Sequence, residues 1–92
     1  MEKLSAVFLN SRNILSAGSV SEDQFWLLIE LSPIHSEKVI NALRDHLVYG
    51  KSRKSVCEHH NVNAGYFSTS LNRINYINQV VALLLPYYTL CE

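Results

Sequence analysis

The stretch 51-KSRKSVCEHHNVNAGYFSTSLNRI-74 decides how this chain folds. Ser52 is a capping residue ahead of a short helix that runs to about His60. Asn61, which tolerates left-handed backbone angles better than most residues, marks a tight turn. Val62 plugs the space behind it. Asn63 caps a second helix whose inner face carries Phe67 and Leu71. Val56 supplies the apolar contact of the first helix, and Cys57 is small enough to let two helices cross closely. Short helix, turn and second helix in this order make a helix-turn-helix layout. The bare pattern is only moderately specific, because any helical hairpin with an Asn turn reproduces it.

The outer surface of the motif carries more information. Its second helix presents Ala64, Gly65, Tyr66, Ser68, Thr69, Asn72 and Arg73, with no acidic residue among them. With the cap Asn63 and the helix N-terminal amides, these groups can bond phosphates or base edges. Lys51, Arg53 and Lys54 flank the start of the first helix, charge-matched to DNA and poorly placed for internal pairing. The first turn of the second helix lacks the Arg, Lys or Gln that would read bases bidentately. Readout is therefore expected to come from DNA shape, from narrow A/T-rich grooves and from several protomers in phase.

Outward from the motif, the rest of the chain also reads as helix. Ser21 caps a helix with Gln24 three residues on, and Val20 and Phe25 are spaced as a hydrophobic staple. The run FWLLIEL is apolar almost all round, which implies burial on two sides, and Pro33 stops it. Ser36 caps the next helix, whose apolar face is Val39, Ile40, Leu43 and Leu47, and Gly50 follows its end. In the last helix Phe67, Leu71, Ile74, Ile77, Val81 and Leu85 fall on one side, and Pro86 is expected to end it. Residues 1–19 read as an arm without helical period, with a short extended piece possible at Val7–Leu9; residues 20–92 read as one domain. The expected fold is all-α, four to five helices around a central helix-turn-helix, with a long C-terminal recognition helix.

Composition agrees with a small folded domain. The chain has 92 residues, 48% hydrophobic and 17% charged, with three glycines. Net charge is zero but unevenly spread. Residues 44–73 carry Arg44, Lys51, Arg53, Lys54 and Arg73 against Asp45 and Glu58, a net +3, whereas residues 1–43 sum to −2 and 74–92 to −1. A protein that meets phosphate needs a local positive field, not a positive total. The modest patch implies weak binding by one copy and several copies acting together. Phe25, Trp26, Leu28 and Ile29 in the apolar helix, with Val81 and Leu84 near the C-terminus, are the expected interface of a homo-oligomer. Cys57 and Cys91 form no disulfide framework and suit a reducing cytosol. No run approaches the roughly 20 apolar residues of a membrane span, and the AVFL run is too short for a signal peptide. A cytoplasmic, nucleoid-associated protein is expected.

The runs SPIHS, SRK-VCE, GYFSTSL and PYY together are far more specific than the generic motif. Through them the chain, over about residues 18–89, resembles the PapB/FocB-type regulators of fimbrial adhesin operons in enterobacteria. The resemblance implies an all-helical regulator that binds A/T-rich promoter DNA as an oligomer, with no cofactor. It also implies that Arg53 and Cys57 matter for DNA binding.

Other readings compete. Cys57, His59, His60 and His46 invite a zinc site, but the spacing matches no usual ligand pattern, since adjacent histidines project about 100° apart on a helix. A Cys–His enzyme lacks a recognisable orienting carboxylate and an oxyanion loop. From another class, FWLLIEL and VVALLLPYY suit a helical interaction module that antagonises or partners a larger regulator. That reading accounts for the hydrophobic surplus but not for the acid-free face at Ala64–Arg73.

Overall fold

The structure, a computed structural model, describes residues 14–89. Four helices follow one another: α1 (Glu22–Leu31), α2 (Glu37–Leu47), α3 (Arg53–His60) and α4 (Ala64–Thr89). No strand occurs among the described residues. The expected extended piece at Val7–Leu9 lies outside them.

Short-range capping sets the helix starts. The Ser21 hydroxyl accepts from the Gln24 amide at 3.1 Å, Ser36 from Val39 at 3.4 Å and Ser52 from Ser55 at 3.1 Å. Asn61 ends α3 with φ 57°, and Val62 N–H reaches back to the Cys57 carbonyl at 2.9 Å, the closing bond of a left-handed helix stop. Glycine relieves the left-handed strain that Asn still carries, and alanine adds to it. Asn61→Gly is therefore expected to match or exceed the parent in stability, and Asn61→Ala to lose about 1 kcal/mol in urea denaturation.

The core is built from Phe25 and Leu28 of α1, Val39, Ala42, Leu43 and Leu47 of α2, Val56 of α3 and Phe67, Leu71 and Ile74 of α4. Val20 and Val62 close it from the connecting segments. α2 is central, packing on all three other helices, and α4 also lies against α1 and α3. The apolar side of α4 leaves the core as the helix proceeds: Ile74 is fully buried, Ile77 partly, and Leu85 is exposed.

Two expectations are corrected here. Pro86 does not end the last helix, which continues to Thr89 with the proline inside it. Proline removes one amide bond, here the one the Ala82 carbonyl would accept, and this turn is exposed, so water can replace it. The apolar α1 is also not available all round to a second subunit. Phe25 is 0% and Leu28 3% exposed, both spent on the protein's own core, and Ile29 packs partly against it. A helix apolar on every side still turns only one stripe inward, and here residues three apart take that stripe. Leu27 and Leu31, which were not singled out, are the exposed ones alongside Trp26.

The segment ahead of α1 is docked rather than loose. Gly18 N–H donates to the His46 carbonyl at 3.0 Å and Val20 N–H to the Leu47 carbonyl at 3.0 Å, satisfying carbonyls at the end of α2 that its own helix leaves open. The approach is close enough that a Cβ on Gly18, at φ +72°, would sit 3.3 Å from the Gly50 Cα. Further back, Leu15 N–H donates to Asn75 Oδ1 on α4 at 2.9 Å.

A polar clasp ties α1 to α2. Glu22 accepts from the Tyr49 hydroxyl at 2.9 Å and from the Trp26 indole at 3.1 Å, and pairs with Arg44. The Arg44 guanidinium lies between the Trp26 and Tyr49 rings, 5.7 and 5.5 Å from their centroids. These hydrogen bonds, from Tyr49 first, hold the Glu22 carboxyl below its ordinary value of 4.5. A depressed carboxylate pKa stabilises the fold above the unfolded value and ceases to do so as pH falls through the folded one. The stability gap between the parent and Glu22→Gln is expected at neutral pH and should narrow as pH drops below 4.5. A gap unchanged down to pH values near 2 would show that the charge contributes nothing.

Candidate functional site

α3 and α4 meet across the left-handed turn at Asn61, and of the sequence-predicted residues Arg53, Lys54, Cys57, Ala64 and Ser68 gather at that junction. A cleft of about 480 Å³ runs between the two helices, lined by Arg53, Lys54, Cys57, Glu58, Val62, Ala64, Phe67 and Ser68. Arg53 and Cys57 stand four residues apart on one face of α3, so both reach this cleft. Val62 and Phe67 form its apolar floor.

Arg53 is anchored within the fold, contrary to the expectation that the basic cluster lacks internal partners. Its Nη2 donates to the Ser68 hydroxyl at 3.3 Å, and its guanidinium carbon lies 6.0 Å from the centroid of the Phe67 ring. These contacts restrict the side chain while leaving it exposed. Lys51 and Lys54 are exposed, and their side chains have no hydrogen-bond or ion-pair partner among the described residues. Cys57 is half-buried, neither fully in the core nor fully open.

The first turn of α4 is more committed to its own backbone than its sequence suggests. Asn63 Oδ1 accepts from the Gly65 amide at 2.8 Å and the Tyr66 amide at 3.1 Å, and the Asn63 carbonyl accepts from Phe67 N–H at 2.9 Å. The cap therefore takes up amides that were expected to be open to a phosphate. Thr69 Oγ1 donates to the Gly65 carbonyl at 3.1 Å. Tyr66, Asn72 and Arg73 remain exposed, with no side-chain partner among the described residues. Ala64 and Gly65 present little more than backbone, which allows close approach.

One residue that the sequence reading counted only in the charge balance also belongs to the cleft. Glu58 lines the cleft beside Arg53, Lys54 and Cys57, so the acid-free surface belongs to α4 and to the start of α3, not to the whole cleft. Its helical position, one turn beyond Lys54 and next to Cys57, was the available signal. The histidines are engaged in holding α2 and α3. His46 Nδ1, 2.7 Å from the Lys51 carbonyl, must carry the proton it donates there. His60 Nε2 lies 2.7 Å from Asp45 Oδ2, and the His59 ring stands edge-on to that of His60.

Of the other expected interface positions, Trp26 is exposed but already hydrogen-bonded to Glu22. Leu84 is exposed and Val81 half-buried. Around Leu84 lie Leu83, Leu85, Tyr87 and Tyr88, each at least half exposed. No helix among the described residues is long and apolar enough to cross a membrane.

This arrangement has close counterparts among known proteins. The family model of the adhesin biosynthesis transcription regulatory proteins (PapB) matches residues 1–88. The AFA-III adhesin operon regulatory protein of Escherichia coli is 54% identical over 77 residues, spanning 84% of this chain and 76% of that protein. The major pilus subunit operon regulatory protein PapB of Escherichia coli is 53% identical over 85 residues, spanning 91% and 82%. The crystal structure of Escherichia coli FocB superposes with a TM-score of 0.83 at 53% identity, covering 92% of this chain and 99% of that one. With its helices, its α3–α4 junction and nearly its full length matched, the chain belongs to the family of adhesin biosynthesis transcription regulatory proteins, a family of regulators and not of enzymes.

Proposed function

We propose that the protein controls a fimbrial adhesin operon by binding A/T-rich promoter DNA through the α3–α4 junction, as an oligomer. The observation that carries this reading is Arg53, restrained by Ser68 and Phe67 yet exposed at the mouth of the cleft. A guanidinium held in one place and left open to solvent is organised for an anionic partner, and it loses less entropy on binding than a free side chain does. Lys51 and Lys54 at the start of α3 and Arg73 on α4 add exposed positive charge. Tyr66, Ser68, Thr69 and Asn72 add hydroxyl and amide groups with Asn63, Ala64 and Gly65 at the helix start, and Cys57 supplies a small half-buried contact beside Arg53. Nothing at the start of α4 offers a bidentate base reader, so groove width and DNA deformability carry the specificity.

Oligomerisation is assigned to the exposed apolar end of α4, around Val81 and Leu84, with Trp26 as the one expected α1 position still at the surface. A single copy with so small a basic patch binds weakly, and linked copies multiply the affinity. The protein works in the cytoplasm on the nucleoid.

Gel shifts on an A/T-rich promoter fragment test this reading. Affinity should fall when G/C steps replace the A/T tracts and when salt rises, because phosphate contacts release counterions. No shift at low salt, or an affinity indifferent to both changes, would favour the interaction-module reading, in which the apolar surfaces pair with another regulator.

A further inference from the structure

Beyond Arg53 the open surface continues. The stripe of α4 that lines the cleft through Ala64, Phe67 and Ser68 runs on, in helical steps, to Leu71, Asn72 and Asn75. There it lines a second hollow of about 330 Å³, together with Ser16, Ala17, His46 and Arg53. Arg53 lines both spaces, so the hollow adjoins the cleft. The two differ in charge. Glu58 lines the cleft, whereas no acidic residue lines the hollow among the described residues.

The hollow also holds unspent hydrogen-bond donors. Arg53 uses one N–H on the Ser68 hydroxyl, and a guanidinium carries several more. Asn72 is exposed, and its side chain has no partner among the described residues. Ser16 N–H donates to Ser19 Oγ at 3.2 Å and its carbonyl accepts from Ser19 N–H at 3.1 Å, which leaves its hydroxyl unused among the described residues. Those two bonds close a tight turn. Ala17 is its second residue, exposed and with an ordinary negative φ, ahead of Gly18 at +72°. The turn is pinned on both sides, by Leu15 N–H on Asn75 Oδ1 and by Gly18 N–H on the His46 carbonyl. A fixed turn beside an exposed arginine, with donors unspent and no carboxylate, needs little ordering to receive an anion.

We infer that this hollow is a second seat for the DNA backbone, in which one phosphodiester is received by Arg53, Asn72, the Ser16 hydroxyl and the turn at Ala17. The inference rests on the DNA reading of the α3–α4 junction and extends it to the segment ahead of α1. From Ser68 to Asn72 the helix advances about 6 Å, so a strand that meets Arg53 and follows α4 reaches the hollow within about one turn. A phosphate contact of this kind fixes the protein's position on the duplex without reading its sequence. The docking of the segment on α2 and α4 then has a purpose beyond the core: it brings Ser16 and Ala17 to the DNA.

Gel shifts with the full chain on an A/T-rich duplex test this, using substitutions that spare the turn. Ser16→Ala keeps both backbone bonds and removes only the hydroxyl. Position 17 is exposed at a turn site that accepts most residues. Melting temperatures should therefore stay near the parent's. Ser16→Ala should weaken binding about 3- to 10-fold. Ala17→Asp should weaken it about 10-fold, and Ala17→Lys should strengthen it and steepen the salt dependence by about one phosphate contact. In an Arg53→Ala background the Ser16→Ala loss should shrink to about twofold or less, because both groups serve the same phosphate. If Arg53→Ala weakens binding while the variants at 16 and 17 bind like the parent, the seat is refuted and the α3–α4 reading stands. If the Ser16→Ala loss persists in full without Arg53, the shared phosphate is refuted. A parent chain that does not bind the duplex at low salt removes both readings.

Discussion

Arg53→Ala is expected to weaken binding to promoter DNA by about 10- to 100-fold, the loss of one or two charge-assisted hydrogen bonds worth about 1.5–3 kcal/mol. Its melting temperature should stay near the parent's, because Arg53 is exposed and its bond to Ser68 is a surface contact. The dependence of log affinity on log salt should flatten by about one phosphate contact. Arg53→Lys keeps the charge but not the planar fork that rests over Phe67, so it should recover only part of the loss. An Arg53→Ala protein that binds like the parent would remove the start of α3 from the DNA-facing surface.

The second large effect concerns stability. Phe67 is 1% exposed, stands edge-on to His46 at 5.8 Å and supports Arg53 from below. Phe67→Ala is expected to cost about 3–5 kcal/mol, most of the stability of a domain this small. Thermal denaturation followed by circular dichroism should show a melting transition lowered by more than 10 °C, or no transition at all. Phe67→Leu keeps most of the volume and should fold with a loss of about 1.5 kcal/mol or less. It also removes the aromatic face beneath the guanidinium, so its DNA affinity should fall while its structure persists. A Phe67→Ala protein that melts like the parent would contradict the packing described for the α3–α4 junction.

Features carried by bonds within a few residues were legible in the sequence. Ser21, Ser36, Ser52 and Asn61 end or begin helices through contacts no more than five residues away, and capping chemistry alone identifies them. The same locality made the α3–α4 junction readable, including Val62 and Phe67 in the core. Features that depend on distant partners were not. Nothing in FWLLIEL distinguishes Phe25 and Leu28, which face α2 and α4, from Leu27 and Leu31, which face outward. The docking of Gly18 on the end of α2 and of Leu15 on Asn75 joins residues 28 and 60 positions apart, beyond any local pattern. Pro86 misled because the rule against proline in helices presumes that the freed carbonyl has nowhere to go, whereas an exposed helix end can hand it to water. At the site, the residues were legible but their engagement was not. Asn63 was recognised as a cap, and a cap by its nature uses the amides that a phosphate would need.

α4 runs unbroken from Tyr66 at the candidate site to Leu84 at its apolar end. Those eighteen residues make about five full turns and about 27 Å of rise, so both side chains leave the helix at nearly the same azimuth. A stiff rod that displays two contacts on one side cannot set them back to back. A duplex engaged at one end and a neighbouring protomer engaged at the other would lie on the same flank of the rod. Successive copies would then line up beside the duplex instead of stacking outward from it.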